Sequence, residues 1–340
     1  RPTRTTDDDS FWAERATALL APLLHAAAAE GLGIGDVLMW LLRWELGPAA
    51  NILERRHSDW AANVLLSVAK SADRERSAVF STASNVLAAY FGDSARAVAD
   101  PTRTSECAFD PDAFVRSRDT LYITAPAHKQ AMCAPIIVAL LEAIRHAAYR
   151  RSRRVLAGEE LGTPDCLFAL DECANVAPIH DLGALVSEAG GQGLVVLAVL
   201  QDLSQARARW GADTGTGFLS VFGVKVVLPG VADRSTLEAF STALGDHAEW
   251  VPSISEAATA EGPVAHRGGT WTYRPNYSPG EIAGLRAGHA LHVSGAEGTV
   301  VKLVPWHLTP VGRHTGGGSR SPATRAPEIR VTSRVRRRSS

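Results

Sequence analysis

The sequence predicts an α/β protein with a parallel, doubly wound sheet and a separate all-α subdomain. Three observations indicate this fold class. Apolar residues recur at helical spacing, between Gly, Pro and Ser breaks, over about the first hundred residues. Later in the chain, short apolar runs alternate with helical segments, and this alternation is typical of parallel sheets covered by helices. A hydrophobic content of 46% and 340 residues allow a large core and more than one domain.

The N-terminal part is divided into a polar lead, residues 1–9, and an all-α subdomain, residues 10–100. Asp9 or Ser10 is placed to cap a helix that begins at Phe11. Segments such as "GDVLMWLLRWEL" and "DWAANVLLSVAK" continue the helical pattern. Three tryptophans of this part are expected in its core rather than on a base-stacking surface: Trp40, Trp44 and Trp60.

Residues 101–312 carry the alternating pattern. The predicted strands are, in order, "DTLYITAP" (Asp119 to Pro126), "CLFAL", "LVVLAVL", "VKVVL", "HALHVSG" and "TVVKLVP". The predicted helices are "KQAMCAPIIVALLEAIRHAAYRR", Asp181 to Ala189, "DLSQARARW" and "GTGFLSVF". Two capping boxes predict further helix starts, Ser235 with Glu238 and Ser278 with Glu281.

The last segment, residues 313–340, has a different composition. It holds eight Arg and one acid, so its charge is roughly +7 and that of the preceding chain roughly −8. We expect it to be disordered, because it is rich in Gly, Ser, Pro and Arg. Two interpretations stay open: a solubilising terminus, or contacts to DNA phosphates from a group of four arginines, Arg334, Arg336, Arg337 and Arg338.

Several classes of site and compartment are disfavoured by the sequence. The four Cys lack a CxxC pair, and the late His residues lack metal-ligand spacing, so reduced thiols and no zinc site are expected. The uncharged stretches are shorter than the roughly 18 residues of a membrane span, so no membrane helix or signal peptide is predicted. Because the chain begins with Arg1 rather than Met, we expect a segment upstream of it.

One stretch, "PDCLFALDECANV", places two acids at the end of an apolar run. Leu167 to Leu170 has the apolarity of a strand buried on both faces, and Asp171 and Glu172 follow at its carboxyl end. Ligands of open α/β sheets bind at that edge. Gln201 follows the next predicted strand, after the Gly-rich loop "SEAGGQG". An acid pair that merely caps a turn is the alternative interpretation of these residues.

In this order, the features resemble a known family. "LFALDECANVAPIHDLGALVSEAGGQGLVVLAVLQDLSQARARWG" and "VKVVLPGVADRSTLEAFSTALGD" are similar to the C-terminal ATPase region, with its TraM-recognition-type domain, of TraG/TraD-type coupling proteins of conjugation and type IV secretion. "SFWAERATALLAPLLHAAAAEGLGIGDVLMW" resembles the inserted helical domain of that family. The resemblance covers most of Ser10 to Trp306 and implies a RecA-like P-loop NTPase fold and a hexameric motor.

The resemblance also implies roles for individual residues. Asp171 would be the Walker B acid that binds Mg²⁺ through water, Glu172 the base or polariser for the attacking water, and Gln201 the sensor of the γ-phosphate. Arg207 or Arg209 could reach the site of a neighbouring subunit, although a solvated helix face explains both. The implied cofactors are ATP and Mg²⁺.

One departure from the family concerns the phosphate loop, because no Gly-Lys-Ser or Gly-Lys-Thr occurs in the 340 residues. The sequence therefore suggests the back half of an ATPase, inactive alone, that delivers single-stranded DNA and relaxase to a type IV secretion channel. Its implied location is the cytoplasmic face of the bacterial plasma membrane. The alternative is a non-hydrolysing docking module for relaxosome or effector proteins.

Overall fold

The computed structural model describes residues 6–99, 109–162, 165–259 and 262–315, and its fold is α/β, as predicted. The chain divides into two compact units. The first contains the described residues up to Cys166, together with residues 175–177 and 192–194. The second contains residues 167–174 and 178–191 and the described residues from Val195 onward.

The N-terminal elements are all helical. They are α1 (Thr6–Glu30), α2 (Ile34–Arg43), α3 (Gly47–Arg55), α4 (Asp59–Ala69), α5 (Asp73–Val86), a 3-10 turn (Ala88–Phe91) and α6 (Asp93–Ala99). Because α1 begins at Thr6, the prediction that Asp9 or Ser10 caps a helix starting at Phe11 is wrong. The acids of "TDDDS" lie in the first turns of α1, where negative charge favours a helix.

A cluster of small and branched apolar side chains forms the core of this helical part. Its fully buried large residues include Leu19, Leu23, Leu41, Leu53 and Leu65. Trp40 is also buried, as predicted, and Trp44 is half-exposed and stacks on Phe80 with ring centroids 4.5 Å apart. Trp60 is 83% exposed, so its core prediction is wrong. The buried stripe of α4 is formed by Ala62, Leu65 and Val68, and position 60 points away from that stripe.

Two short helical elements precede a long helix. These elements are α7 (Pro111–Phe114), a 3-10 turn (Ala127–Lys129) and α8 (Gln130–Leu156). The strand predicted for Asp119 to Pro126 is not formed, and this prediction is wrong. Residues 119–126 pair with no strand within the described ranges, and a strand needs the hydrogen bonds of a neighbour.

Helix α8 also bears on the membrane prediction. Within the described residues, Ala127–Leu156 is the one segment long and apolar enough to cross a membrane by length and composition. The count of uncharged runs missed it, because Glu142 and Arg145 interrupt the run. A core helix meets the same criterion, and α8 buries residues at three- and four-residue spacing: Ala134, Ile137, Leu141, Ile144 and Ala148.

Two strands form the predicted parallel pair, β1 (Cys166–Leu170) and β2 (Leu194–Ala198). The Cys166 amide donates to the Gly193 carbonyl where the strands begin, and the Val199 amide donates to the Leu170 carbonyl where they end. The strands are therefore parallel. The crossover between them contains α9 (Cys173–Val176) and α10 (Leu182–Ala189). Burial of β1 on both faces is not observed, because Phe168 and Leu170 are buried whereas Leu167 is exposed.

The remaining elements complete the second unit. They are α11 (Leu203–Trp210), α12 (Ala212–Val221), β3 (Val224–Val227), α13 (Arg234–Ala243), β4 (Asp246–Thr259), β5 (Gly262–Pro275), α14 (Pro279–Ala283), β6 (His289–Ser294), β7 (Glu297–Lys302), a 3-10 turn (Trp306–Leu308) and α15 (Pro310–Thr315). Strands β3, β6 and β7 form an antiparallel sheet in the order β3-β6-β7, apart from the β1-β2 pair. The second core cluster includes Val227, Phe240, Ile282 and Leu291.

The antiparallel order β3-β6-β7 shows that the prediction of a parallel, doubly wound sheet is wrong for these strands. Two further features of this region depart from the sequence prediction. The β4-β5 hairpin was not predicted, and it pairs Asp246–Thr259 with Gly262–Pro275 over its full length. The capping box of Ser278 and Glu281 is confirmed, whereas the box predicted for Ser235 and Glu238 is wrong. The N-cap of α13 is Asp233, so Ser235 lies inside the helix.

Candidate functional site

Strand β1 ends in the acid pair. Asp171 and Glu172 are both exposed, and the Asp171 carboxylate accepts a hydrogen bond of 3.0 Å from the Glu172 backbone amide. Glu172 has a φ of 48°, in the left-handed region that costs a non-glycine residue roughly 1–2 kcal/mol. Trp44 and His57 have a similar φ after helices, so the position of Glu172 at the end of β1, rather than the strain alone, marks this turn as a candidate site.

Strand β2 brings Gln201 to the same edge. The Val199 amide donates to the Leu170 carbonyl at 2.9 Å, and the Cys173 amide donates to the Val199 carbonyl at 3.2 Å. These two bonds fix the turn after β1 beside the end of β2. Gln201 is exposed, two residues beyond Val199, and its backbone amide donates to the Gln205 side chain. The predicted residues Asp171, Glu172 and Gln201 therefore follow the carboxyl ends of two neighbouring parallel strands.

The helix after Gln201 begins with a side-chain cap. Asp202 accepts hydrogen bonds from the backbone amides of Ser204 and Gln205, which satisfies free donors at the first turn of α11. The Gly-rich loop before β2 contributes Gly193, whose φ of 70° favours glycine. The carbonyl of Gly193 receives the first hydrogen bond of the β1-β2 pair, so this loop sets the register of the site strands.

The two candidate arginines of α11 differ in their contacts. Arg207 forms an ion pair of 3.0 Å with Asp233 and also donates to the Ser235 hydroxyl. Hydrogen bonds from Thr236 and Ser235, joined by the one from Arg207, hold the pKa of Asp233 well below its usual range. Arg207 is thus held within its own chain, whereas Arg209 is exposed.

Asp233 is a residue that the sequence reasoning missed. Its carboxylate accepts from the Thr236 amide at 2.9 Å, as an N-cap does. The signal was present in "ADRST", where an Asp precedes a Thr by three residues at a helix start. The Thr236 hydroxyl also accepts from the Leu203 amide at 3.0 Å, which links the start of α13 to the start of α11.

The donor set at the strand edge fits a magnesium ion. Mg²⁺ prefers carboxylate and amide oxygens, keeps several of its waters, and often binds through one or two carboxylates. Asp171 and Glu172 supply such carboxylates. No group of three or more His, Cys, Asp and Glu side chains that could hold a metal occurs in the ranges that the structure describes. The four tail arginines, Arg334, Arg336, Arg337 and Arg338, lie outside the described residues.

Two parallel strands that end in an acid pair and an amide thus lie within an α/β fold. Residues 165–285 match the family model described as the TraM recognition site of TraD and TraG. That match contains Asp171, Glu172, Gln201 and both α11 arginines, and it confirms the resemblance to TraG/TraD-type coupling proteins. A search of the curated proteins gives no match.

Solved structures of one coupling protein share the fold. The bacterial conjugative coupling protein TrwBdeltaN70, in its unbound monoclinic form, is 20% identical over 89% of this chain, with a TM-score of 0.60. TrwB in complex with GDPNP is 20% identical over 88% of the chain at a TM-score of 0.61. TrwB with ADP and Mg²⁺ is 20% identical over 88% at a TM-score of 0.59. The chain spans 65%, 64% and 63% of these three proteins, respectively.

Proposed function

We propose that this chain is the C-terminal part of a coupling ATPase that drives single-stranded DNA, with its bound relaxase, to a type IV secretion channel in conjugation. The observation that carries the proposal is the shared edge of β1 and β2, where Asp171, Glu172 and Gln201 follow two neighbouring parallel strands. The family match over residues 165–285 and the TrwB fold support it.

The three residues divide the chemistry. Asp171 would hold Mg²⁺ through water, and Glu172 would accept a proton from the water that attacks the γ-phosphate. Gln201 orients that water, because an amide can donate to a phosphate oxygen and accept from a water. The ion, when bound, neutralises charge on the phosphates. Solved complexes of TrwB with ADP and Mg²⁺, and with an ATP analogue, support ATP and Mg²⁺ as the cofactors.

Hydrolysis by this arrangement needs a phosphate cradle. The 340 residues contain no Gly-Lys-Ser or Gly-Lys-Thr, and the chain spans about two-thirds of the TrwB structures. We infer that the active enzyme joins this chain to a polypeptide that carries such a loop. The site then lies between subunits of a homo-hexamer. Arg209 suits the role of a neighbour's arginine better than Arg207, whose side chain is bound to Asp233.

The proposed partners follow from the same family. The matched domain is described as a recognition site, which supports contact with relaxosome proteins. Single-stranded DNA and the secretion channel are the other partners. The proposed location is the cytoplasmic face of the bacterial plasma membrane, where a coupling protein meets its channel.

The experiment begins with the coding DNA directly upstream of the Arg1 codon. An in-frame GxxxxGK loop followed by Ser or Thr identifies the polypeptide to express with this chain. In that protein, Glu172→Gln is expected to retain binding of a fluorescent ATP analogue and to lose turnover by about 10²-fold or more. The matched control is Glu159→Gln, which changes an exposed glutamate of the loop after α8. Equal turnover of the Glu172→Gln and Glu159→Gln proteins would remove Glu172 from the mechanism.

A docking module is the second candidate function, and two observations favour it. The family model over residues 165–285 is described by recognition rather than hydrolysis, and the chain carries no phosphate loop of its own. If an unrelated frame lies upstream and the chain binds no ATP analogue, the docking function replaces the ATPase. Recognition of relaxosome or effector proteins would then be its activity.

A further inference from the structure

The β4-β5 ribbon has one face built from aromatic residues. Register places Trp250 opposite Trp271 and Ala248 opposite Tyr273. Residues directly opposite, and residues two apart on one strand, share a face of a ribbon. Trp250, Trp271 and Tyr273 therefore form a single surface, named here the aromatic face. The two indoles lie edge to face, with centroids 5.4 Å apart.

The aromatic face is open to solvent. Trp250 is 48% exposed, Trp271 65% and Tyr273 74%. Gly269 belongs to this surface, and a Cβ atom there would lie 2.5 Å from the Trp250 ring, so the indole lies directly over the Gly269 backbone. Exposed apolar surfaces of this kind mark places where another molecule binds.

The opposite face of the ribbon is mostly polar, with Val251 as an apolar residue on it. Glu249 and Arg274 form an ion pair of 3.1 Å on that polar face, and Thr270 and Thr272 lie on the same side. An isolated two-stranded ribbon is marginally stable in water, and a covered apolar face is what usually makes such an element persist. We therefore expect another segment or molecule to pack against the aromatic face.

The charge of the β4-β5 ribbon restricts the kind of molecule that can bind the aromatic face. Residues 246–275 contain four acids, Asp246, Glu249, Glu256 and Glu261, and two arginines, so their formal charge is −2. A negative element disfavours the phosphates of a nucleic acid and favours a cationic occupant. Guanidinium groups stack on indole and phenol rings and are attracted to the ring faces. An Arg-containing segment therefore fits both the charge and the rings.

The chain itself contains such a segment. Residues 316–340, which follow α15, hold seven Arg and one acid, a formal charge of +6. Helix α15 and the ribbon belong to the same compact unit. Twenty-five residues span up to about 80 Å when extended, which exceeds the roughly 48 Å of a 14-residue strand. Length therefore does not prevent the segment from crossing the ribbon.

We propose that residues 316–340 bind the aromatic face of the same chain through stacking of arginine on Trp250, Trp271 and Tyr273. The proposal goes beyond the ATPase and does not depend on nucleotide hydrolysis. Under this proposal the tail arginines bind either the ribbon or a polyanion, and binding of one excludes the other. Binding of DNA phosphates by the tail would then uncover the aromatic face, which lies inside the region matched to a recognition domain.

The test measures how fast trypsin cleaves after the tail arginines in the full chain, followed by intact-mass spectrometry. The double variant Trp271→Ala/Tyr273→Ala is expected to lose the tail at least about fivefold faster than the wild type, the effect of two exposed cation–π contacts. Trp271→Phe keeps an aromatic ring and is expected to stay within about twofold of the wild type. Trp60→Ala removes an indole of α4 that is 83% exposed, more than Trp271, and serves as the control.

Each other outcome overturns the proposal. Equal tail cleavage in the wild type and the double variant means that the aromatic face has a different occupant. If cleavage after body arginines such as Arg234 rises by the same factor as tail cleavage in the double variant, the ribbon change has loosened the whole fold and the proposal is overturned. Protection that rises with protein concentration places the tail on a second copy, and an equal rise in tail cleavage in Trp60→Ala shows that the effect is not specific to the aromatic face.

Discussion

The helical part of the chain and the strand edge that carries the candidate site are specified in different ways. In the helical part, a large set of apolar side chains shares one core, so the packing of α1 to α5 is spread over many positions. At the strand edge and the helices after it, single residues have special tasks. Glu172 adopts a left-handed backbone, Gly215 permits a close helix contact, and Asp233 both caps α13 and binds Arg207. Redundant packing makes the first region predictable, whereas the second depends on individual contacts.

The largest expected effect tests the packing of the helical part on two neighbouring positions. Leu23 is fully buried in α1, whereas Leu24 is 43% exposed. Leu23→Ala removes buried apolar area and leaves a cavity, so we expect a loss of about 2–5 kcal/mol in the free energy of unfolding. Leu24→Ala is expected to cost below about 1 kcal/mol. Urea unfolding followed by circular dichroism measures both. Equal losses would show that the core of α1 does not follow the observed burial.

The second prediction concerns the contact between α11 and α12. A Cβ atom on Gly215 would lie 2.5 Å from the Arg207 backbone nitrogen, and backbone cannot yield as a flexible side chain can. Gly215→Ala is therefore expected to destabilise by about 1–3 kcal/mol. Gly217 lies in the same helix, and nothing within 4 Å opposes a Cβ there, so Gly217→Ala is expected to stabilise by about 0.5–1 kcal/mol.

Thermal unfolding of the two glycine variants tests this prediction. The melting temperature is expected to fall in Gly215→Ala and to rise in Gly217→Ala. Since α11 follows Gln201, a shift of α11 in Gly215→Ala also displaces the end of the candidate site. Stabilisation by Gly215→Ala would contradict the close helix contact. The comparison of regions would then fail, because a single glycine would no longer determine the packing beside the site.

Much of the fold followed from local patterns. The period of apolar residues predicted α2 to α5, α8 and the parallel pair β1-β2, and the Ser278 capping box predicted the start of α14. Local patterns failed where a partner decides the outcome. Asp119 to Pro126 has the composition of a strand but no strand to pair with in the described ranges. The polar and irregular sequence of the β4-β5 ribbon hides its alternation, so its pairing was not visible in the sequence.

The candidate site was predictable in position and not in detail. Strand order placed Asp171, Glu172 and Gln201 at one edge, because carboxyl ends of parallel strands meet there. The left-handed backbone of Glu172 has no glycine to signal it, and the ion pair of Arg207 joins residues that are 26 positions apart. No spacing rule contains that information. The roles of the three edge residues, the trans arginine and the domain boundaries stay predictions.

The smallest expected effect concerns Asp233, which caps α13 and forms an ion pair with Arg207. Two variants separate these roles. Its pKa lies below the usual range in the folded chain, so the ionised carboxylate stabilises the fold above the ordinary pKa of an aspartate, and this stabilisation is lost as the pH falls below that value. Asp233→Asn keeps a side chain that caps α13 and removes the charge bound to Arg207. We expect its melting temperature to fall less than that of the wild type between pH 7 and about pH 3, since Asn does not titrate.

Asp233→Ala removes the cap as well as the charge, so its melting temperature is expected to lie below that of Asp233→Asn at pH 7. Thermal unfolding at the two pH values measures both variants against the wild type. If Asp233→Asn and the wild type lose the same number of degrees on acidification, the ionised carboxylate contributes nothing beyond its cap. Arg207 would then be free to leave Asp233 at no cost, and the argument that favours Arg209 as the neighbour's arginine would disappear.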